Sequence, residues 1–373
     1  MILLLHHRYR HVGGEERAVA DLQWLIREHL HEDAEVLERD SSRVGARDAA
    51  LGLLRGGLNP QEVADAVKRT NARVVHAHNV NPTFGWRALA AARQAGARVV
   101  LHLHNYRLVC AQATCFTRGE DCTRCHGRNT LPGVRLNCRG GSRAESAAYA
   151  AGLALHQKRL TGAADEILVP STFALQRLQE LGAPLRGKAR VLGSVQREFV
   201  DHSTAQHGEF VLAAGRLTPE KGFEDVIHAC RRVNLPLVIA GDGPQRHELE
   251  ARGGATFLGH VPPAELQVLR RRAAVAVVPS RYAEILPLAA LESMAAAVPT
   301  VAAASGGLKE AVPEEGLYPA GDVAALADRL QALWQDQAAG ERALAGAKAR
   351  SAPAFVAEQL RSVYGATSTP ARY

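Results

Sequence analysis

Glu284 and Glu292 lie in one stretch, residues 279–310, PSRYAEILPLAALESMAAAVPTVAAASGGLKE, with Pro287 between them. An apolar run, Val275 to Val278, comes first, and Pro287 suits the first residue of a helix over Leu288 to Ala297, because its missing N–H is one no helix can use there. A helix that follows a strand aims its unused N–H groups and positive dipole end above the sheet edge, where an anion fits. Glu292 would project from about the second turn and Glu284 would stay in the loop, so the two carboxylates would face different parts of one bound molecule. After the next apolar run, Pro299 to Ala304, the glycines of Ser305-Gly306-Gly307 would let the backbone approach the same ligand. On spacing alone, a solvated loop carboxylate at 284 and a solvated helix face at 292 fit equally well.

Cations, a histidine and cysteines add further chemistry. In Phe210 to Gly222, FVLAAGRLTPEKG, Arg216 and Lys221 follow a strand pattern and suit a diphosphate clamp, each charge-assisted hydrogen bond contributing about 1.5–3 kcal/mol. No D-x-D pair occurs in the chain, so no obvious carboxylate site for a catalytic metal is present. His104 sits where another apolar run, Val99 to Leu103, ends, and could donate to a substrate hydroxyl, carry a proton, or simply close its own loop. Gly13 and Gly14 lie between the first apolar run and a helix pattern, as a close-approach or plain tight turn. LVIAGDGP (Leu237 to Pro244) and TFLGHV (Thr256 to Val261) are further strand exits, the second with Gly259 placed to edge a nucleobase pocket by backbone contacts. Cys110, Cys122, Cys125 and Cys138, with one C-x-x-C, suit a structural zinc site; Cys230 falls in a helix pattern and reads as core.

These residues need elements to hold them. Strand-like runs recur at Ile2 to Leu5, Ala34 to Leu37, Val74 to Ala77, Val99 to Leu103, Ile167 to Val169 and Arg190 to Leu192. A second set follows at Phe210 to Ala213, Leu237 to Ala240, Thr256 to Leu258, Val275 to Val278 and Thr300 to Ala303. Helical patterns alternate with them, among them Glu16 to Leu30, Gly85 to Ala95, Phe173 to Leu181, Phe223 to Val233 and Pro263 to Arg272. Such alternation predicts an α/β protein with two doubly wound parallel sheets. The boundary falls in the polar, aperiodic stretch between Gly193 and Gly208, giving domains of 1–195 and 196–351, with 352–373 packing back on the first. All the singled-out residues lie at strand exits, where such sheets bind ligands, and two domains facing each other would share one cleft.

With 373 residues, 47% hydrophobic and 22% charged, the chain has room for about two cored domains and is not a disordered composition. No apolar run reaches the length of a membrane span, and the opening MILLLHH is too short for a secretion signal, which predicts a cytoplasmic protein. The net charge of +7 is uneven: residues 1–195 hold 27 Lys+Arg against 18 Asp+Glu, and residues 196–373 hold 18 against 20. A basic first half attracts phosphates, whether of nucleic acid, anionic membrane or charged substrate. No aromatic-interleaved recognition stretch supports nucleic acid, so a peripheral contact with anionic lipid is the preferred expectation.

Taken together, GRLTPEKG (215–222), IAGDGP (239–244), FLGHV (257–261), the Glu284-x7-Glu292 spacing and GGLKE (306–310) resemble the retaining family-4 glycosyltransferases of GT-B fold. GGEE (13–16), VVHAHN (74–79), HLHNYRLVC (102–110) and VPSTFALQRLQELG (169–182) extend the resemblance over almost the whole chain, and toward bacterial enzymes of surface-polysaccharide assembly. The resemblance implies that Arg216 and Lys221 hold the donor diphosphate and Glu292 the ribose hydroxyls. It also implies that Glu284 and the backbone of Ile285, Leu286, Pro287 and Leu288 meet the sugar and distal phosphate, with His104 near the reacting centre and Gly14 against the phosphates. The implied reaction needs no cofactor. A nucleotide-diphosphate sugar, such as a UDP-sugar, gives its sugar to a glycan, lipid-linked or small-molecule acceptor with retention, the leaving diphosphate taking the acceptor's proton. An NDP-sugar epimerase or hydrolase of the same fold is the alternative. The chain departs from the family pattern at Ala297-Val298, where Gly is usual, and at Ile285-Leu286, where Phe-Gly is frequent.

Overall fold

The computed structural model describes residues 1–9, 13–139, 142–285 and 287–365. The chain divides into two compact units, one of residues 1–114, 123–195 and 353–373, the other of residues 115–122 and 196–352.

In the first unit the elements run β1 (Ile2–Arg8), α1 (Gly14–His29), β2 (Ala34–Asp40), α2 (Ala46–Arg55), α3 (Pro60–Thr70), β3 (Val74–Ala77), α4 (Gly85–Gln94) and β4 (Arg98–His102). A two-stranded hairpin follows, β5 (Phe116–Thr117) and β6 (Glu120–Asp121), and belongs to the second unit. The first unit then resumes with α5 (Leu131–Arg135), α6 (Arg143–Ala163), β7 (Glu166–Val169), α7 (Thr172–Glu180) and β8 (Ala189–Val191). Its strands pair in parallel in the order β2-β1-β3-β4-β7-β8. Alternate strand residues Ile2, Leu4, Val74, Val100 and Leu168 face one core with Leu22, Leu25 and Ile26 of α1. That helix repeats its apolar residues at the spacing of one buried stripe.

In the second unit β9 (Phe210–Ala214), α8 (Phe223–Arg232), β10 (Leu237–Ala240), α9 (Arg246–Arg252), β11 (Thr256–Gly259), α10 (Pro263–Arg272) and β12 (Ala273–Val278) lead to α11 (Leu288–Ala295). After it come β13 (Thr300–Ala303), α12 (Leu308–Ala311), β14 (Leu317–Tyr318), α13 (Val323–Ala332) and α14 (Gln337–Ser351). The parallel sheet has the order β11-β10-β9-β12-β13-β14, so strand order reverses between β9 and β12. Val211, Ala213, Val275 and Val277 face one core with α8 and α13, while Phe210, Leu212 and Ala276 face the other side, the period of two expected of a sheet covered on both faces. Cys230 of α8 is wholly buried in the first of these cores, and burial pushes its thiol up to about 12. A last helix, α15 (Pro353–Tyr364), returns to the first unit and packs on α1.

Two boundaries differ from the sequence expectation. Pro287 caps α11 rather than opening it, its ψ of 56° lying outside the helical well. The helix ends at Ala295, and Ala297 takes a left-handed φ of 56°, the conformation for which a glycine is the usual choice.

Candidate active site

In the second unit the reversal point between β9 and β12 gathers a charged cluster. Beyond β9 the chain passes Gly215 and the exposed Arg216 into a single turn, Pro219–Lys221, which brings Lys221 alongside the exit of β12. Gly222 then turns with φ 69°, and a Cβ there would lie 2.2 Å from the Pro279 carbonyl oxygen, so only glycine lets the two strand exits meet this closely. Glu284, 5% exposed, receives Lys221 Nζ and Ser280 Oγ on Oε1, each at 2.6 Å, and the Tyr282 hydroxyl on Oε2 at 2.6 Å. Burial, and then Glu284 itself, push the Tyr282 phenol well above its ordinary range, so it stays a donor. Lys221 Nζ also lies 5.0 Å from the centre of the Tyr282 ring. Gly306 serves this cluster directly. Its φ is 58°, a Cβ would stand 2.3 Å from the Glu284 carbonyl oxygen, and the Gly307 N–H donates to that oxygen at 2.7 Å. The glycines of this loop thus accommodate the backbone of Glu284.

Glu292 stands in α11 and accepts from the buried guanidinium of Arg270 on α10, which also donates to Gln267 Oε1 at 2.9 Å. Ile285 and Pro287 are buried beside Glu284, and Leu288 begins α11; Leu286 lies outside the described residues. Gly259 ends β11 with φ 68°, and its carbonyl accepts the Gly241 N–H at 2.7 Å.

The first unit carries a second polar group at the exits of β1, β3 and β4. Gly14 opens α1, where the Glu16 carboxylate accepts the N–H groups of Gly13 (2.8 Å) and Tyr9 (2.9 Å). The Tyr9 hydroxyl accepts from Arg107 Nη1 (3.0 Å) and Asn105 (3.2 Å) and donates to Glu15 Oε2 (3.0 Å). Burial pushes the Glu15 carboxyl up, against the pull of Arg107. An open cleft here is lined by Glu15, His78, Asn79, His104, Asn105 and Arg107, among others.

Beneath His104 lies a block of imidazoles. His78 Nδ1 and His104 Nε2 are 2.8 Å apart, and His76 Nε2 and His102 Nδ1 are 3.3 Å apart, with the Tyr364 hydroxyl 2.7 Å from His76 Nδ1. The two pairs stack, His76 on His78 at 4.6 Å between centres and His102 on His104 at 4.2 Å. Burial lowers His102 to about 3 and holds His76, His78 and His104 well below the ordinary range, so all four rings are neutral.

Among the described residues, ligand atoms gather to metal-binding distance at His76, His78 and His102, and the quartet Cys110, Cys122, Cys125 and Cys138 forms no such group. Cys122 falls in the hairpin segment assigned to the second unit, and the other three in the first. The histidines suit an ion poorly in this arrangement. The planes of His76 and His78 are 11° apart and stacked, and ring-nitrogen lone pairs lie in the ring plane, so one ion cannot sit in both.

Sequence reasoning did not single out Tyr282, Arg270, Tyr9, Glu15 or His78. The His-x-His repeats at 76–78 and 102–104 were a signal for the last, since residues two apart on neighbouring strands share a face.

Comparison with known proteins agrees with this architecture. A model of the glycosyl transferase 4-like domain matches residues 8–193, and one of the glycosyl transferases group 1 matches residues 194–351. Glycogen synthase of Mycobacterium tuberculosis (strain CDC 1551 / Oshkosh) is 39% identical over 155 residues, covering 38% of this chain and 37% of the relative. D-inositol 3-phosphate glycosyltransferase of Corynebacterium efficiens is 36% identical over 188 residues, 44% of each chain. The chain thus spans about two fifths of the length of these relatives. The structure of Anabaena Alr3699/HepE in complex with UDP-glucose superposes with a TM-score of 0.62 at 17% identity, covering 97% of this chain and 98% of that one. The chain belongs to the group 1, family-4 glycosyltransferases and has their GT-B fold.

Proposed function

We propose that this chain transfers a sugar from a nucleotide-diphosphate sugar, a UDP-sugar such as UDP-glucose, to an acceptor hydroxyl with retention of configuration and without a catalytic metal. The carrying observation is the Lys221–Glu284 contact at the point where strand order reverses, the usual ligand position of a doubly wound sheet. Lys221 and the exposed Arg216 would hold the diphosphate, and Lys221 would exchange its carboxylate partner for phosphate oxygens as the donor enters. Two preorganised cations stabilise charge on a leaving diphosphate as it develops. Glu284, held by three donors, would present its backbone and its remaining lone pairs to the sugar, while Glu292 on α11 would meet the ribose. Gly14, at the start of α1, would approach the phosphates, Gly259 the base, and Ile285 to Leu288 the sugar through their backbones. His104 would act at the reacting centre, and the first unit would take the acceptor.

The acceptor proposed is a glycan or lipid-linked hydroxyl, in a cytoplasmic protein that makes a peripheral contact with the inner face of an anionic membrane. Among the described residues no helix is long and apolar enough to cross a membrane. Lys221→Ala and Glu284→Ala, assayed by release of UDP from UDP-glucose, test the reading; undiminished release in both would sink it.

A further inference from the structure

We propose that His78 is a positioning residue for His104, locking it in the tautomer that carries its proton on Nδ1. This inference rests on the reading that His104 acts at the reacting centre. The two rings meet edge to edge, His78 Nδ1 to His104 Nε2 at 2.8 Å, with their planes 16° apart. Between two neutral rings one nitrogen must donate and the other accept. If His78 Nδ1–H donates, His104 Nε2 is bare and His104 carries its proton on Nδ1. If His104 Nε2–H donates, both rings carry the proton on Nε2. The pair therefore has two states, and each leaves one buried N–H and one bare nitrogen without a partner, on His78 Nε2 and His104 Nδ1.

Position decides between them. His78 is 3% exposed, the more deeply buried of the two rings, and the more deeply sealed N–H is the costlier orphan. Both rings line the cleft, but His104 is the more exposed of the two, so its Nδ1–H is the easier one for an incoming oxygen to satisfy. The lower pair fixes the upper one. Tyr364 anchors His76, His76 meets His102, and the His102 ring lies against His104 at 4.2 Å. A ring gripped at one edge and one face presents a single N–H in a single direction, toward an oxygen of the transferred sugar or of the acceptor.

The test joins a spectroscopic readout with kinetics. Nitrogen-15 NMR of the histidine-labelled wild-type protein should show both His78 and His104 as single Nδ1–H tautomers; an Nε2–H pair or an averaged mixture overturns the proposal. His78→Phe keeps a ring to stack but removes the donor, and should lower kcat with UDP-glucose about 10- to 100-fold at little-changed KM. His78→Asn places an amide N–H near the lost Nδ1 and should restore most of that loss. A folded His78→Phe protein with wild-type kcat overturns the proposal. Should that variant not fold, the wild-type tautomer spectrum still decides. His104→Ala separates the two failures: full activity there sinks the role of His104 itself, whereas an inactive His104→Ala beside a fully active His78→Phe sinks only the positioning.

Discussion

Arg270 and Glu292 form an ion pair shut away from water, with the guanidinium side chain 1% and the carboxylate side chain 9% exposed. Two charges are costly to bury together and costlier to separate. Arg270→Met should destabilise the protein by about 3–5 kcal/mol in urea unfolding, because it strands a buried carboxylate. Arg270→Met combined with Glu292→Leu should recover much of that loss while still failing to bind donor. A double variant that bound UDP as the wild type does would remove Glu292 from the ribose.

The network around Glu284 predicts a graded series. Lys221→Ala should reduce UDP release from UDP-glucose by about 10²- to 10³-fold, the usual effect of deleting a preorganised group that stabilises developing charge. Tyr282→Phe removes one of three donors to a buried carboxylate, at about 1–3 kcal/mol of stability. Its Tm should fall while UDP release declines less than in Lys221→Ala. Equal loss of turnover in the two would put Tyr282 on the substrate.

Gly306→Ala should disable the site without touching a ligand group. The new methyl would meet the Glu284 backbone at 2.3 Å in a left-handed conformation, which alone costs about 1–3 kcal/mol. A lowered Tm with weakened UDP-glucose turnover is the expected result, and wild-type values for both would contradict the close packing of Gly306 on Glu284.

The imidazole block should make the fold acid-sensitive. His102 and His7 are lowered to about 3 and about 4, and His76, His78 and His104 lie well below their ordinary value, burial being the first cause in each case. The unfolded chain therefore takes up protons below about pH 6.5 that the folded chain refuses. Stability is full above that pH and falls as pH drops, by about 1.4 kcal/mol per pH unit for each histidine, until the folded values are reached. Urea midpoints at pH 7, 6 and 5 should decline steeply, and a flat profile would show that the rings titrate normally.

Strand positions such as Val275 to Val278 could be read from the sequence, because a parallel strand buried on both faces is a continuous aliphatic run. The cations and carboxylates at strand exits were visible as residue types. Their partners were not. Arg270 sits in PAELQVLRRR, a stretch with the look of a solvated helix end, and only the packing of α10 reveals which of three arginines turns inward. Ser305-Gly306-Gly307 reads as a ligand-facing loop, and only the fold reveals that it also makes room for the backbone of Glu284. The histidine pairs depend on β3 lying next to β4 in the register His76↔Val100, which sets His-x-His against His-x-His; neither repeat carries that information by itself.

The first unit is completed by chain made long after its sheet. Val356, Ala357, Leu360 and Val363 of α15 fill the same core as Ile2, Leu4 and Leu25, and Tyr364 closes over His76. All of residues 196–352 are made in between. At roughly 5–20 residues per second, the nascent first unit waits about 8–30 s with this core face uncovered. During that interval the second unit can finish folding first, and the first unit's sheet, complete in its strands but uncovered on this face, is the species on the ribosome that a chaperone would find.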